Sequence, residues 1–181
     1  WGCENFDPES FNESFIRDIA GRITPELYAG GVARYRNIGV RVLGARVTAP
    51  DPYKVKILEI PRFVEYLREQ FKCSDPINKI ESAIYAHLHL ARIHPFEDGN
   101  GRTARVLQDV ILSHNNIPLP IIEAGERNTY YHILDNAVYD WKYNKQSGDF
   151  KHGATEGEHS FYTFMAGKIN VSIDKLIDCF H

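Results

Sequence analysis

The chain reads as a mostly helical domain carrying one short β-hairpin. Three observations lead there. Apolar residues recur at spacings of three and four in stretch after stretch. One segment alone, around residues 39–47, alternates apolar with small or charged residues about a Gly-Ala turn. A length of 181 residues with 43% hydrophobic composition suits one domain with a single sizeable core, spanning 1–181.

Each element follows from its own residues. In "DPESFNESFIRDIAGRI", Phe11, Phe15, Ile16 and Ile19 form one helical face behind Asp7-Pro8, a suitable helix entry. Residues 24–52 are then punctuated by glycine and proline. There Val40 and Val42 alternate with Gly39 and Arg41 before the turn at Gly44-Ala45, predicting a hairpin flanked by loops. Pro61 fits the first turn of a helix carrying Phe63, Val64, Leu67 and Phe71, where its missing N–H is not needed. From about Pro76, the residues Ile77, Ile80, Ile84, Leu88 and Ala91 predict a second helix with one apolar stripe. Pro95 disfavours helical geometry in the residue before it, so this helix should stop near Ile93 and leave His94 at its edge.

Beyond "HPFEDGNG", the residues Ala104, Val106, Leu107, Val110, Ile111 and Leu112 are apolar over more than half the circumference, which predicts a central buried helix ended by "NNIPLP". Tyr131, Leu134 and Val138 mark another helix. The segment "NKQSGDFKHGATEGEHS" is polar enough to be a surface loop. Phe161, Phe164, Met165, Ile169, Ile173, Leu176, Ile177 and Phe180 then give a last helix, read as core.

Composition excludes several partners. A net charge of −3 without a Lys/Arg-dense segment gives no electrostatic reason to bind nucleic acid or an anionic membrane surface. No apolar stretch approaches the ~20 residues that cross a bilayer, and the N-terminus lacks a signal pattern. Cys3, Cys73 and Cys179 are odd in number, far apart and without C-x-x-C spacing, so reduced thiols in the cytoplasm are expected. Because the chain opens at Trp1, further elements are expected upstream.

The chemistry concentrates in "HPFEDGNGRTAR", His94 to Arg105. Gly99 and Gly101 permit a sharp turn and close approach of a ligand. A helix starts at once, and its first N–H groups, lacking intrahelical partners, can bind phosphate oxygens. Arg102 and Arg105 fall on one face of its opening turns. Cations there oppose the macrodipole at about 0.3–1 kcal/mol each unless an anion lies between them. Arginine's fork matches phosphate oxygens, so the arrangement points to a polyphosphate. Asp98 reads either as an oxygen ligand for Mg²⁺ bridging phosphates or as a plain N-cap. His94 reads either as a helix-end histidine or as a base active near neutral pH.

Other motifs fail. Gly99-x-Gly101-x-x-Ala104 lacks the preceding strand that a dinucleotide-binding turn needs. An EF-hand loop is excluded by Arg102 and Thr103 at its ligand and glycine positions. His87 and His89, two apart, point to different sides of a helix and make no metal pair with His94.

His94, Phe96, Asp98, Gly99, Asn100, Gly101, Arg102 and Arg105 match throughout the signature H-x-F-x-D/E-G-N-G-R-x-x-R, so the sequence resembles the Fic family. "ARYRN", "TAPDP" and "ERNTYYHILDNA" resemble Fic segments as well. The resemblance implies a Fic fold, a helical bundle around a central motif helix with a short β-hairpin flap. It also implies a protein adenylyltransferase, moving AMP from Mg-ATP to a Ser, Thr or Tyr hydroxyl and releasing pyrophosphate.

On that resemblance His94 is the base, Asp98 holds Mg²⁺, and Phe96 anchors the loop in the core. Gly99, Asn100 and Gly101 cradle the phosphates, Thr103 is counted among the nucleotide-binding residues, Arg102 meets the β- and γ-oxygens, and Arg105 the γ-phosphate. Leu43, Gly44, Ala45 and Arg46 of the flap would border the nucleotide, and a protein substrate would align along the flap's edge. Tyr130 and Tyr131 would line the adenine or ribose side, with Val138 where a relative can carry a polar residue.

The inhibitory string of many members, S/T-x-x-x-E-G/N, is missing. Ser14 to Asp18 is the nearest match, with the wrong acid. An inhibitory helix is therefore expected upstream in the same polypeptide, on another chain, or not at all. Two alternatives to AMP transfer remain: moving another phosphate-containing group from the same cradle, and serving as a non-catalytic nucleotide-binding module.

Overall fold

The structure is a computed structural model, describing residues 1–28, 30–42, 44–145 and 154–179. Helix α1 (Gly2–Asn5) is a single turn that the sequence did not announce. Helix α2 (Glu13–Ile23) starts where Asn12 Oδ1 accepts the Ser14 N–H at 2.8 Å. Its buried Ile16 and Ile19 face the core, while the rings of Phe6, Phe11, Phe15 and Phe71 pack edge to face beside it.

Helix α3 (Pro52–Lys54) begins on an Asp51 cap and runs through a π-helical turn, Val55–Glu59, into α4 (Ile60–Phe71). The expected helix start at Pro61 is thus an interior position. Proline lacks the N–H that an α-helical turn would use, and the wide turn falls just before it.

Helix α5 (Pro76–Ile93) is the centre of the molecule, with Asp75 as its cap and Pro76 in its first turn. Helices α4, α6 (Asn100–His114), α7 (Arg127–Asn144) and α8 (Glu156–Asp178) all pack against it. Its middle, Ser82 to Leu90, is consequently buried on every side, histidines included. The expected single stripe holds for Ile84 and Leu88 but not for Ile77, which is 66% exposed in the first turn. Among the described residues no helix is long and apolar enough to cross a membrane.

Two expectations are corrected here. The hairpin at 40–47 carries no strand among the described residues. Its turn exists, with the Ala45 N–H on Val42 O at 3.1 Å and Gly44 at φ 81°, but the legs are held by side chains instead of a ladder. We call this segment the arm. Leu43 lies outside the described residues.

The polar stretch before the last helix is the second correction. Residues 146–153 lie outside the described residues, but Thr155 and Glu158 form a capping box and α8 starts at Glu156, inside the expected loop. Phe161, Met165 and Ile169 are fully buried as expected. Leu176 and Ile177 are half exposed where α8 runs past the core, and Phe180 lies outside the described residues.

Below the core helices lies a buried polar layer. Glu158 accepts from Lys145 Nζ at 3.1 Å and stands 3.4 Å from His89 Nε2. Burial alone would raise the Glu158 carboxyl, but hydrogen bonds from His89 and the Thr155 N–H, with Lys145 nearby, bring it down to about 2. Burial pushes His89 down to about 4, so it is a neutral donor to Glu158 at pH 7. His87 is likewise held at about 4 by burial, between Gln108 Oε1 at 2.9 Å and the Tyr130 hydroxyl at 2.8 Å.

The sign of the pH effect follows. As pH falls through the ordinary 6.5, the unfolded chain protonates both histidines, while the folded chain refuses the protons until about 4. The stability these two rings contribute above pH 6.5 is therefore lost progressively on the way to 4, the pair taking up about two protons on unfolding, against which the Asp109 carboxyl, raised by burial to about 6, returns one. Denaturant midpoints measured across this range should fall with acidity. A flat profile would mean that the rings charge within the fold.

Candidate active site

The site begins at the end of α5. Pro95 stops the helix, and His94 takes the left-handed conformation, φ 52° and ψ 57°, its N–H still bonded to Leu90 O at 3.0 Å. For a residue with a Cβ this costs about 1–3 kcal/mol. His94 Nδ1 faces Ala91 O at 3.3 Å, an acceptor, so Nδ1 carries the ring proton and Nε2 is the basic nitrogen. Burial lowers the His94 pKa below 6.5 and Arg36 adds to this, against the opposing pull of Ala91 O and Asp98. The ring is neutral at pH 7.

The loop after His94 is braced from within. Phe96 is fully buried and stacks on Tyr35, ring centroids 5.7 Å apart. Asn100 Oδ1 accepts the Phe96 N–H at 2.8 Å and its Nδ2 donates to Phe96 O at 2.9 Å. Its amide side chain, expected along the phosphates, is thus occupied as a strut. Asn100 still lines the cleft, where its first-turn main-chain N–H is left for an anion.

Gly99 is the N-cap of α6 at φ 75°, and a Cβ there would stand 2.9 Å from Thr24 Cγ2, so glycine is required twice over. Thr103 is fully buried, its hydroxyl on Gly99 O at 2.9 Å, and it does not line the cleft. This corrects its placement among the nucleotide contacts: one turn along α6, it points to the core.

The charged groups are positioned loosely. Arg102 donates to Asp98 Oδ2 at 3.2 Å and to Ile23 O at 3.4 Å, with both charged side chains at least half exposed. Such an exposed pair contributes at most about 1 kcal/mol, so either member can exchange its partner for a ligand. Arg105, a turn further, lines the same cleft as Tyr130.

These groups share a cleft of about 530 Å³, a size that takes a small-molecule ligand. Its floor is His94 and the α6 start, Asp98 to Arg102, with Arg105. Tyr130, Tyr131, Leu134 and Val138 of α7 form one side, and the arm forms the other through Val42, Gly44, Ala45 and Val47 to Ala49. Arg46, expected at the nucleotide, turns to α7. It donates to Asp135 and Asn136 and lies over the Tyr139 ring, while Lys142 holds Thr48. Tyr130 is buried and Tyr131 is 44% exposed, the two rings 5.1 Å apart.

Sequence reasoning missed Arg36, Arg92 and Asp135 as parts of this architecture. Arg92 pairs with Glu59 at 2.8 Å and lies over Trp141, its guanidinium 3.5 Å from the ring centroid, as part of the cleft wall. No local pattern announces the contacts that matter to the cleft, because Arg92 meets Glu59, Arg36 meets His94 and Asp135 meets Arg46 across more than thirty residues each.

Fold and cleft together define a helical domain built around a glycine-started, arginine-bearing helix with a neutral histidine at its mouth. The chain belongs to the Fic/DOC family, whose family model matches residues 10–112. It is 36% identical over 118 residues to the protein adenylyltransferase Fic of Drosophila persimilis, covering 65% of this chain and 22% of that protein. It is 32% identical over 131 residues to the same-named protein of Nematostella vectensis, 71% of this chain and 29% of the relative. The chain therefore spans less than a third of the length of these relatives.

Among solved structures, Fic-1 from C. elegans superposes with a TM-score of 0.71 at 24% identity, covering 95% of this chain and 44% of that one. A Fic domain containing signaling protein from Bacteroides thetaiotaomicron gives 0.68 at 23% identity, with 96% and 66% covered. These two similarities speak to the fold.

Proposed function

We propose that the chain is a protein adenylyltransferase domain that moves AMP from Mg-ATP to a Ser, Thr or Tyr hydroxyl of a protein. The observation that carries this is the placement of a neutral, Nε2-basic His94 in one cleft with the open helix start, Arg102 and Arg105. Relatives named protein adenylyltransferase support it.

In this reading His94 Nε2 accepts the proton of the target hydroxyl as its oxygen attacks the α-phosphorus. The bond from that phosphorus to the bridging oxygen of the β-phosphoryl breaks, and pyrophosphate leaves. The N–H groups at Gly99 to Gly101 and the two guanidiniums stabilise the phosphate charge.

Asp98 would hold Mg²⁺. Among the described residues no cluster of three or more acidic, histidine or cysteine side chains forms a protein-only cage. A single exposed carboxylate fits an ion that keeps waters and takes its other ligands from phosphates, and that ion would neutralise phosphate charge. The unladdered arm offers main-chain groups for aligning a protein segment. An inhibitory helix, upstream or on another polypeptide, would compete for Arg105. The three exposed, unbridged cysteines fit a reducing cytoplasm.

The test is label transfer. With Mg-ATP labelled in the α-phosphate, the label should appear on a protein hydroxyl, either on a target or on the chain itself, and peptide mass spectrometry should find an added AMP. Transfer from γ-labelled ATP alone would overturn the reading in favour of phosphoryl transfer.

A further inference from the structure

We propose that Arg36 is a positioning residue for His94, locking the histidine's left-handed main chain to both ends of the arm that walls the cleft. The proposal rests on the adenylyl-transfer reading and names a residue that this reading does not use.

Arg36 is 2% exposed. Its Nε donates to His94 O at 2.7 Å, its Nη1 to Ile38 O at 2.9 Å, and its Nη2 to Pro50 O at 2.6 Å. Its own N–H donates to Pro95 O at 2.9 Å. One residue thus grips the two carbonyls on either side of the His94-Pro95 bond. It also grips the arm where the arm leaves the core, at Ile38, and where it returns, at Pro50.

Physical chemistry makes this an unusual use of a buried charge. Desolvating a guanidinium is costly, and holding carbonyls is a task that neutral donors perform more cheaply. Only arginine, though, presents several N–H groups in a fixed plane, so it can hold three acceptors in one arrangement. The carbonyl of His94 comes at the end of α5, where helix carbonyls lack partners and a cation is favoured. Holding that carbonyl fixes the peptide plane and thereby maintains a left-handed His94 that would otherwise relax. Since the arm is irregular, its place over the cleft depends on such anchors. The base and the wall that would present the target are thereby held in one frame.

The test compares Arg36→Lys, which keeps the charge but cannot reach three carbonyls, with Arg36→Met, which loses both. Each is first checked for folding by its melting transition. At saturating Mg-ATP both should transfer AMP about tenfold to a hundredfold more slowly than the parent, with the nucleotide Kd from calorimetry within about twofold, because the defect is one of placement. Only Arg36→Met should move the acid limb of the rate and the His94 ring titration, followed by NMR, to higher pH. The lysine retains the cation, and Asp98, Arg92, Arg102, Arg105 and Asp135 around the same cleft are unchanged.

Parent-level rates per folded molecule in both variants would overturn the proposal, as would a rate loss explained entirely by lost folded protein. If the parent itself transfers no AMP, the adenylyl-transfer reading fails independently. The ring titration then decides for Arg36: an upward displacement in Arg36→Met sustains its tie to His94, and an unmoved titration ends it.

Discussion

On the proposed function, replacing His94 by alanine should abolish AMP transfer while leaving Mg-ATP binding intact. A positioned general base contributes about 10²–10⁴ in rate, so the loss should reach at least the lower figure. Calorimetry should show little change in nucleotide affinity, because the groups proposed to hold phosphate lie further along, from Asp98 to Arg105. The parent enzyme should also slow as acid protonates the ring, at a pKa below the ordinary 6.5, since burial holds His94 down. A His94→Ala enzyme that keeps its rate, or a rate that ignores pH through that range, would place the base elsewhere.

Glu158→Ala should have the largest effect on stability. The carboxylate, 2% exposed, accepts from Lys145 Nζ, from the Thr155 N–H at 2.8 Å and from His89. Its removal leaves Lys145, only 10% exposed, as a buried cation without its carboxylate. Breaking one side of a buried pair costs about 3–5 kcal/mol. Against a total of about 5–15 kcal/mol for a domain, this approaches unfolding. The denaturant midpoint measures it, and a change under about 1 kcal/mol would show that Lys145 finds water easily. Lys145 closes α7, Glu158 opens α8 and His89 lies in α5, so this contact joins three helices. Close by, the Gly157 N–H donates to Asp140, and a Cβ on Gly157 would stand 2.8 Å from Asn136 O, which makes that crossing tight.

What the sequence made legible was local. Pro95 ending α5 at Ile93 and Gly99 opening α6 depend on backbone rules that neighbouring residues impose, and both helix ends fall where those rules put them. The apolar faces of α2, α6 and the first turns of α8 were legible for the same reason. Asn100 and Thr103 were ambiguous: an amide beside a phosphate loop and an amide bracing that loop look alike in one dimension. The buried layer around Glu158 was illegible as a layer, although Thr155-x-x-Glu158 was a readable capping signal inside a stretch whose polarity suggested a loop. The arm misled because Val40-Arg41-Val42 alternates like a strand while its actual supports are side chains: Arg36 at its foot, and Asp135 and Lys142 from about ninety residues further along the chain.

The way the arm is fastened has a further consequence. Between the anchors at Ile38 and Pro50 the described residues belong to no ladder, and the ties of the arm to α7 are side-chain bonds at the surface. Doubling the length of such a connection costs only about 0.6 kcal/mol in closure entropy. Segments of different length and sequence can therefore be spliced between the two anchors without rebuilding the helices beneath. If the arm aligns the target as proposed, the domain is divided into a fixed engine and an interchangeable fitting, and its choice of client can diversify faster than its chemistry.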